Sequence, residues 1–298
     1  MQTPPLPGLD FDSAVPTRSE TELLTGLADP DDLPIAGASH RRLLEVASNP
    51  RSSSQDLVDV LALDPSLAAR ALRLANRIQE SPAQPIASLA RAVLRLGPRQ
   101  VGQLALGGPV WRSQSDGPDV ALNFLWHHSV HVAVLARRLA RLLGADAELA
   151  FSGGLLHDIG RIALLSRHPG DESDLLDGTT PETLAREQER YGADHTGIGR
   201  SLASGWGLPA PLVELIGDHH RTIGPNEAAT PLGAIRLAHH LLGQVEEGCP
   251  DGPTFDLEFA AMIDILTRPG RSLPHLGALV RHPETRGSAI GARLVEDR

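Results

Sequence analysis

Leu155-Leu156-His157-Asp158-Ile159-Gly160-Arg161 sets a histidine beside an aspartate inside an apolar run and closes the pair with a glycine. A neutral imidazole nitrogen and a carboxylate oxygen are both metal ligands, and a carboxylate can bridge two ions where an imidazole binds one. In a chain with 13 histidines such a doublet also arises by chance, so its meaning depends on what else converges on it. The apolar spacing around it predicts one helix from about Ala147 to Leu165 carrying the doublet. Gly153-Gly154 lies one turn before His157, where the missing side chains let a neighbouring helix approach.

Working outward, the preceding segment predicts a helix from about Asn123 to Leu143 whose apolar stripe reads His128, Val132, Leu135, Leu139 and Leu142. His128 therefore faces the core, and His127 and His131 fall off the stripe. Downstream, Thr180-Pro181 opens a polar helix to Tyr191, and Asp194-His195-Thr196 starts another that places His195 in its first turn. Leu208-Pro209 opens a helix that runs into Asp218-His219-His220. Consecutive imidazoles at a helix end point about 100° apart, so one can bind an ion while the other faces a second ion or a substrate oxygen. Thr230-Pro231 begins a helix that contains His239-His240 and ends at Gly243.

The candidate ligands are thus His128, His157, Asp158, His195, His219, His220 and His239, spread over five helical segments. Imidazole with carboxylate suits Zn, Mn or Fe, as one ion or as a pair bridged by Asp158, and a helical bundle can bring such groups together.

Composition narrows the class. Aromatics are scarce, at 3%, and Ala, Leu and Arg dominate without alternating β-branched runs, which makes the chain all-α. A length of 298 residues with 41% hydrophobic content supplies a sizeable core. Cys249 is the sole cysteine, which excludes an intrachain disulfide and a Cys-rich zinc module and fits a reducing compartment. No apolar run reaches the roughly 18 residues of a membrane span, and the N-terminus lacks a basic segment followed by an apolar one; the expected location is the cytoplasm. The chain has no lysine, which removes Schiff-base chemistry and the phosphate-cradling lysine of P-loop proteins.

The N-terminal half reads as short, closely packed helices. Residues 1–33 are Pro-, Asp-, Ser- and Thr-rich and read as a flexible segment with one short helix near Glu20–Ala28. Ser53 or Ser54 caps one helix, and Asp64-Pro65 reads as cap and first residue of the next. That helix carries Leu67, Ala71, Leu74 and Ala75 on its apolar stripe and Arg70, Arg73 and Arg77 around the rest. Ile86 to Leu96 forms another, ending at Gly97-Pro98, and a boundary falls near residues 108–120. Arginines at helical spacing, with Arg91, Arg95 and Arg99, raise nucleic-acid binding, but a net charge of −10 argues against it.

The ordered set resembles the HD superfamily of metal-dependent phosphohydrolases, and within it the HDOD branch of bacterial signalling domains. The pieces that carry the resemblance are Asp64-Pro65-Ser66-Leu67, Leu72-Arg73-Leu74-Ala75-Asn76, Trp126-His127-His128-Ser129, Gly154 through Gly160, Gly192-Ala193-Asp194-His195, Trp206-Gly207-Leu208-Pro209 and His219-His220. The resemblance implies a two-lobed helical domain over residues 34–285, with an N-terminal lobe at 34–118, an HD-like bundle at 119–245, further helices at 246–285 and a tail at 286–298. It also implies a signal-transduction output or scaffold that works through signalling proteins. Two departures bear on chemistry: Ala238-His239 stands where active HD hydrolases have Ala-Asp, and Arg221-Thr222-Ile223-Gly224-Pro225 replaces the Gly-Tyr-Pro signature of cyclic-di-GMP phosphodiesterases. The leading expectation is a regulatory module that communicates by protein contacts, its histidine cluster either a structural metal site or a remnant. The alternative is a phosphohydrolase of a nucleotide or phosphomonoester in which Asp158 holds the ions and Arg161 clamps phosphate.

Overall fold

The computed structural model describes residues 30–78, 85–111, 119–168, 181–224 and 227–246. The segment near Glu20–Ala28 and the helices expected after residue 246 lie outside the described residues. Helices dominate: α1 Gly37–Ser48, α2 Ser54–Leu61, α3 Pro65–Arg77, α4 Leu89–Gln103, α5 Asp119–Leu143, α6 Ala147–Leu156, α7 Ile159–Arg167, α8 Pro181–Tyr191, α9 His195–Gly205, α10 Ala210–Asp218 and α11 Pro231–Glu246. A two-residue parallel pair, β1 Ile35–Ala36 with β2 Val110–Trp111, returns the chain after α4 to its start. The boundary expected near residues 108–120 therefore begins in a segment that is hydrogen-bonded back to the first lobe.

The caps follow the sequence. Ser53 and Asp56 form a capping box at α2, and Asp146 and Asp194 cap α6 and α9. Asp64 is fully buried and accepts from Ser66 and Leu67 N–H with one oxygen and from Ala36 N–H with the other, so it caps α3 and ties β1 to it. Burial outweighs these bonds and pushes its carboxyl up to about 6.

Three expectations need correction. The helix expected from Ala147 to Leu165 is broken at the doublet: α6 stops at Leu156, His157 and Asp158 form a turn, and α7 starts at Ile159. Asp158 has φ −96° and ψ 20°, outside the helical region, which turns its carboxylate inward rather than along a helix face. Helical geometry breaks at Gly97 (φ +72°, ψ 167°), where the helix is expected to end, and a second stretch within α4 runs on to Gln103, whereas α11 continues past Gly243 to Glu246. The third correction concerns Arg70. It is 2% exposed and belongs to no solvated face: Nε donates to Pro30 O (3.2 Å), Nη1 to Leu104 O (3.3 Å) and Gly107 O, and Nη2 to Asp31 O (3.2 Å) and Leu33 O (2.7 Å). A helical pattern cannot reveal this, because the carbonyls come from the segments before β1 and after α4.

One apolar cluster runs from Leu33 through α1–α4 to Leu155, Ile159, Leu202 and Ile216, so the core crosses the expected boundary. A second joins Val132, Leu135 and Leu139 of α5 to Ile235, Leu237 and Leu241 of α11. Burying each such side chain contributes about 1.5–3 kcal/mol. The result is that α5, α6, α9, α10 and α11 are packed around the turn at residues 157 and 158.

Replacing Arg70 with Met leaves carbonyls from five residues short of a donor. At about 1–3 kcal/mol for a buried group left unsatisfied, the variant is expected to lose about 3 kcal/mol in chemical denaturation, and Arg70→Lys recovers only part of it.

Candidate metal centre

Two close approaches place the doublet. A Cβ on Gly154 would lie 3.0 Å from Ala133 Cα, so α6 rests on the backbone of α5; a Cβ on Gly160 would lie 2.0 Å from His195 O, so α7 receives the start of α9 directly. Gly160 thereby brings His195 to the carboxylate of Asp158.

The structure brings all seven sequence-derived candidates together. His128, His157, Asp158 and His239 form one group and Asp158, His195, His219 and His220 a second; within each, potential ligand atoms all lie within 4.8 Å of one another. Asp158 is common to both and divides its oxygens between them. Oδ2 lies 3.3 Å from His157 Nε2 and 3.9 Å from His128 Nε2, and Oδ1 lies 3.4 Å from His195 Nε2 and 3.6 Å from His219 Nε2. His239 approaches edge-on to His128 and His157, with ring centroids 5.1 and 5.2 Å away. His220 lies 5.1 Å from His239 across the seam between the groups. The flanking His127 is exposed, and His131 is half-buried.

The protons of three rings can be assigned from their partners. His157 Nδ1 is 2.7 Å from Gly154 O, and His219 Nδ1 is 2.7 Å from Ile216 O; a carbonyl only accepts, so both Nδ1 atoms carry hydrogen. His195 Nδ1 is 2.6 Å from Glu187 Oε2, with the same consequence. A neutral ring with its proton on Nδ1 presents a bare lone pair at Nε2. Those lone pairs face carboxylate oxygens, and neither His157, His195 and His219 Nε2 nor the two Asp158 oxygens have a hydrogen-bond partner. Acceptor opposed to acceptor, at zero exposure for Asp158, His157 and His195, is unfavourable unless a positive charge lies between them. A proton could supply it by charging a buried ring or by neutralising Asp158, but burial pushes His157 and His219 below their ordinary value and Asp158 is held well below its own. Divalent ions fit the same need without that cost, so this donor set suits a metal.

The electrostatics are consistent with this. Burial raises Asp158, yet positive charge beside it, on a protonated ring such as His157 and on Arg161, holds its carboxyl well below the usual range, and a bound cation would act in the same direction. Burial and the neighbouring rings push His220 and His239 well down. Arg161 is 5% exposed, with Nη1 3.7 Å from Asp158 Oδ2 and Nε 3.4 Å from Glu187 Oε1.

Two residues of the site escaped the sequence reading. Glu187 is 2% exposed and binds His195 from α8, eight residues earlier and across the Gly192 turn, so no helical spacing marks it. Phe124 stacks on His128 with ring centroids 6.0 Å apart. It stands one turn before His128 on α5, a spacing that could have shown it.

The model of the HDOD domain family matches residues 33–222, and the chain belongs to that family. A Treponema pallidum protein described as uncharacterized is 27% identical over 223 residues, 71% of this chain and 42% of its own length. Ribonuclease Y of Thermotoga maritima is 33% identical over 122 residues, 41% of this chain and 19% of its own length. The chain thus spans less than half of the curated relatives it matches. Among solved structures, the MmoQ response regulator of Methylococcus capsulatus aligns with a TM-score of 0.65 at 24% identity, over 85% of this chain and 99% of that one, which shows the shared fold. Among the described residues, no helix is long and apolar enough to cross a membrane.

The buried imidazoles set the pH response of the metal-free protein. His157, His219, His220 and His239 resist protonation when folded but take protons near 6.5 when unfolded, so the unfolded state binds more protons below that pH. Stability is then lost as pH falls through about 6.5, by up to about 1.4 kcal/mol per pH unit for each ring. Asp64, raised from 3.8 to about 6, works oppositely and gains stability over that window, but it is one group against four. The denaturation midpoint of chelator-treated protein is expected to drop from pH 8 to pH 5.5; a flat or rising profile contradicts the assignment.

Proposed function

We propose that the protein is an HDOD signalling module whose second lobe is organised by two divalent ions held on either side of Asp158. In this proposal residues 34–118 and 119–245 are the two lobes of one domain, and its output is a surface presented to signalling proteins. The observation that carries it is the division of one buried carboxylate between two sets of three imidazoles. His128, His157 and His239 would hold one ion and His195, His219 and His220 the other, each with one oxygen of Asp158. Nitrogen-rich sets of this kind favour zinc or ferrous iron over magnesium or calcium. The membership of the HDOD family and the response-regulator fold neighbour support the signalling context.

The burial of the set favours a structural ion over an exchanging substrate site: Asp158, His157 and His195 are fully closed off, and Arg161 is engaged with Glu187 rather than facing outward. In this role the metal replaces the buried ring protons that would otherwise be needed against Asp158. Its binding to the folded state adds directly to stability.

A second reading is hydrolysis of a phosphoester, favoured by the carboxylate placed to serve two ions at once and by the partial match to ribonuclease Y. Bound divalent ions there supply charge neutralisation of a phosphoryl group and activation of water. The chain's residues would hold the ions through Asp158 and the six imidazoles. Arg161 would have to leave Glu187 to reach a phosphate.

Elemental analysis of protein purified without chelator is expected to give close to two ions per chain. Asp158→Ala is expected to abolish both and to make the melting temperature insensitive to chelator. Less than about a tenth of an ion per chain contradicts the proposal. Metal-dependent turnover of a phosphodiester or nucleotide that Asp158→Ala removes would move the conclusion to the second reading.

A further inference from the structure

The histidines around Asp158 are held by different means. His157 and His219 each give their Nδ1 hydrogen to a carbonyl three residues back in their own chain, at 2.7 Å. His195 is the first residue of α9 and has no preceding helical turn to supply such an acceptor. Its acceptor comes from α8. Glu187 Oε2 receives Nδ1–H at 2.6 Å and the His195 backbone N–H at 2.8 Å, a two-point hold that fixes both the ring and the start of the helix.

Glu187 is also tied to the other side of the carboxylate. Its Oε1 accepts from Arg161 Nε at 3.4 Å, and Arg161 Nη1 lies 3.7 Å from Asp158 Oδ2. A chain of charges, Glu187, Arg161 and Asp158, therefore runs behind the imidazoles. A carboxylate acceptor polarises an imidazole more than a carbonyl does, so the Nε2 of His195 is a stronger donor to an ion than that of His157 or His219.

We infer that Glu187 is a positioning residue: it holds His195 with hydrogen on Nδ1 and the Nε2 lone pair turned to Asp158, and the ion site of His195, His219 and His220 depends on it. The inference rests on the two-ion proposal for its second half, and the experiment separates the two. Gln at 187 can still accept from Nδ1–H through its amide oxygen; Ala cannot.

The first readout needs no metal. In long-range 1H–15N correlation spectra of the metal-free full chain, wild type and Glu187→Gln are expected to show His195 protonated on Nδ1 alone, and Glu187→Ala to show a mixture of both tautomers. His157 and His219 stay unchanged in all three and report that the site is folded. The second readout is zinc titration against a chromophoric chelator. Wild type is expected to show a tighter and a weaker site. Glu187→Ala weakens the tighter one by about 10–100-fold and leaves the other in place, and Glu187→Gln lies between. An unaltered His195 tautomer in Glu187→Ala overturns the positioning role. A mixed tautomer with zinc affinity unchanged at both sites overturns the dependence of the ion site on it. Wild type that binds no zinc while the tautomer still follows residue 187 ends the two-ion reading and leaves the positioning role standing.

Discussion

A fully buried carboxylate facing the lone pairs of neutral imidazoles is costly on protein atoms alone. Asp158 has zero exposure, Arg161 is 3.7 Å away, and the nearest ring nitrogens lie 3.3–3.6 Å from its oxygens with their hydrogens turned the other way. Charge is expensive to bury without compensation, and here one guanidinium at the edge of reach serves a carboxylate with two unpartnered oxygens. The rest of the second lobe follows from that constraint. The helix breaks at residues 157 and 158 so that the carboxylate can point inward. Gly160 lets the first turn of α9 touch the backbone of α7, and Gly154 brings α6 onto α5.

The first lobe solves the converse problem with backbone instead of ions. Arg70 is as deeply buried as the histidines, and carbonyls from the residues around Pro30 and Gly107 satisfy it, with Asp31 Oδ1 3.3 Å from Nε. Its guanidinium joins the segment entering the domain to the segment leaving α4. Asp64 repeats the theme with opposite sign, holding β1 against α3. Each lobe thus encloses a buried charge: Arg70 is met by carbonyls and Asp31, and Asp158 lies among imidazoles whose donor set suits a cation.

Much of this was legible in the sequence, and the failures have a common cause. Helix starts at Pro65, Pro181, His195 and Pro231 follow from local cap chemistry, which needs no partner from elsewhere in the chain. The seven candidate ligands, six histidines and Asp158, were readable only as an ordered set over five helical segments, since any one of them alone arises by chance. The break at the doublet was not: an unbroken apolar period runs through it, and the turn is imposed by what packs against it. The helical pattern puts Arg70 off the apolar stripe and cannot show its burial, because its acceptors lie outside its helix. Glu187 was invisible for the same reason, since its partner His195 lies across the Gly192 turn. His239 looked like a departure from an expected carboxylate; in the structure it completes the set of His128 and His157. Periodicity reports which face of a helix is apolar, and it is silent about a polar group whose partner comes from another element.

The central claim is that Asp158 is shared between two cations. Anomalous scattering from crystals of the metal-loaded protein, collected on either side of the metal absorption edge, measures this directly. Two peaks are expected to flank Asp158, one beside each oxygen, with His128, His157 and His239 around the first and His195, His219 and His220 around the second. One peak, or peaks that do not touch Asp158, would contradict it.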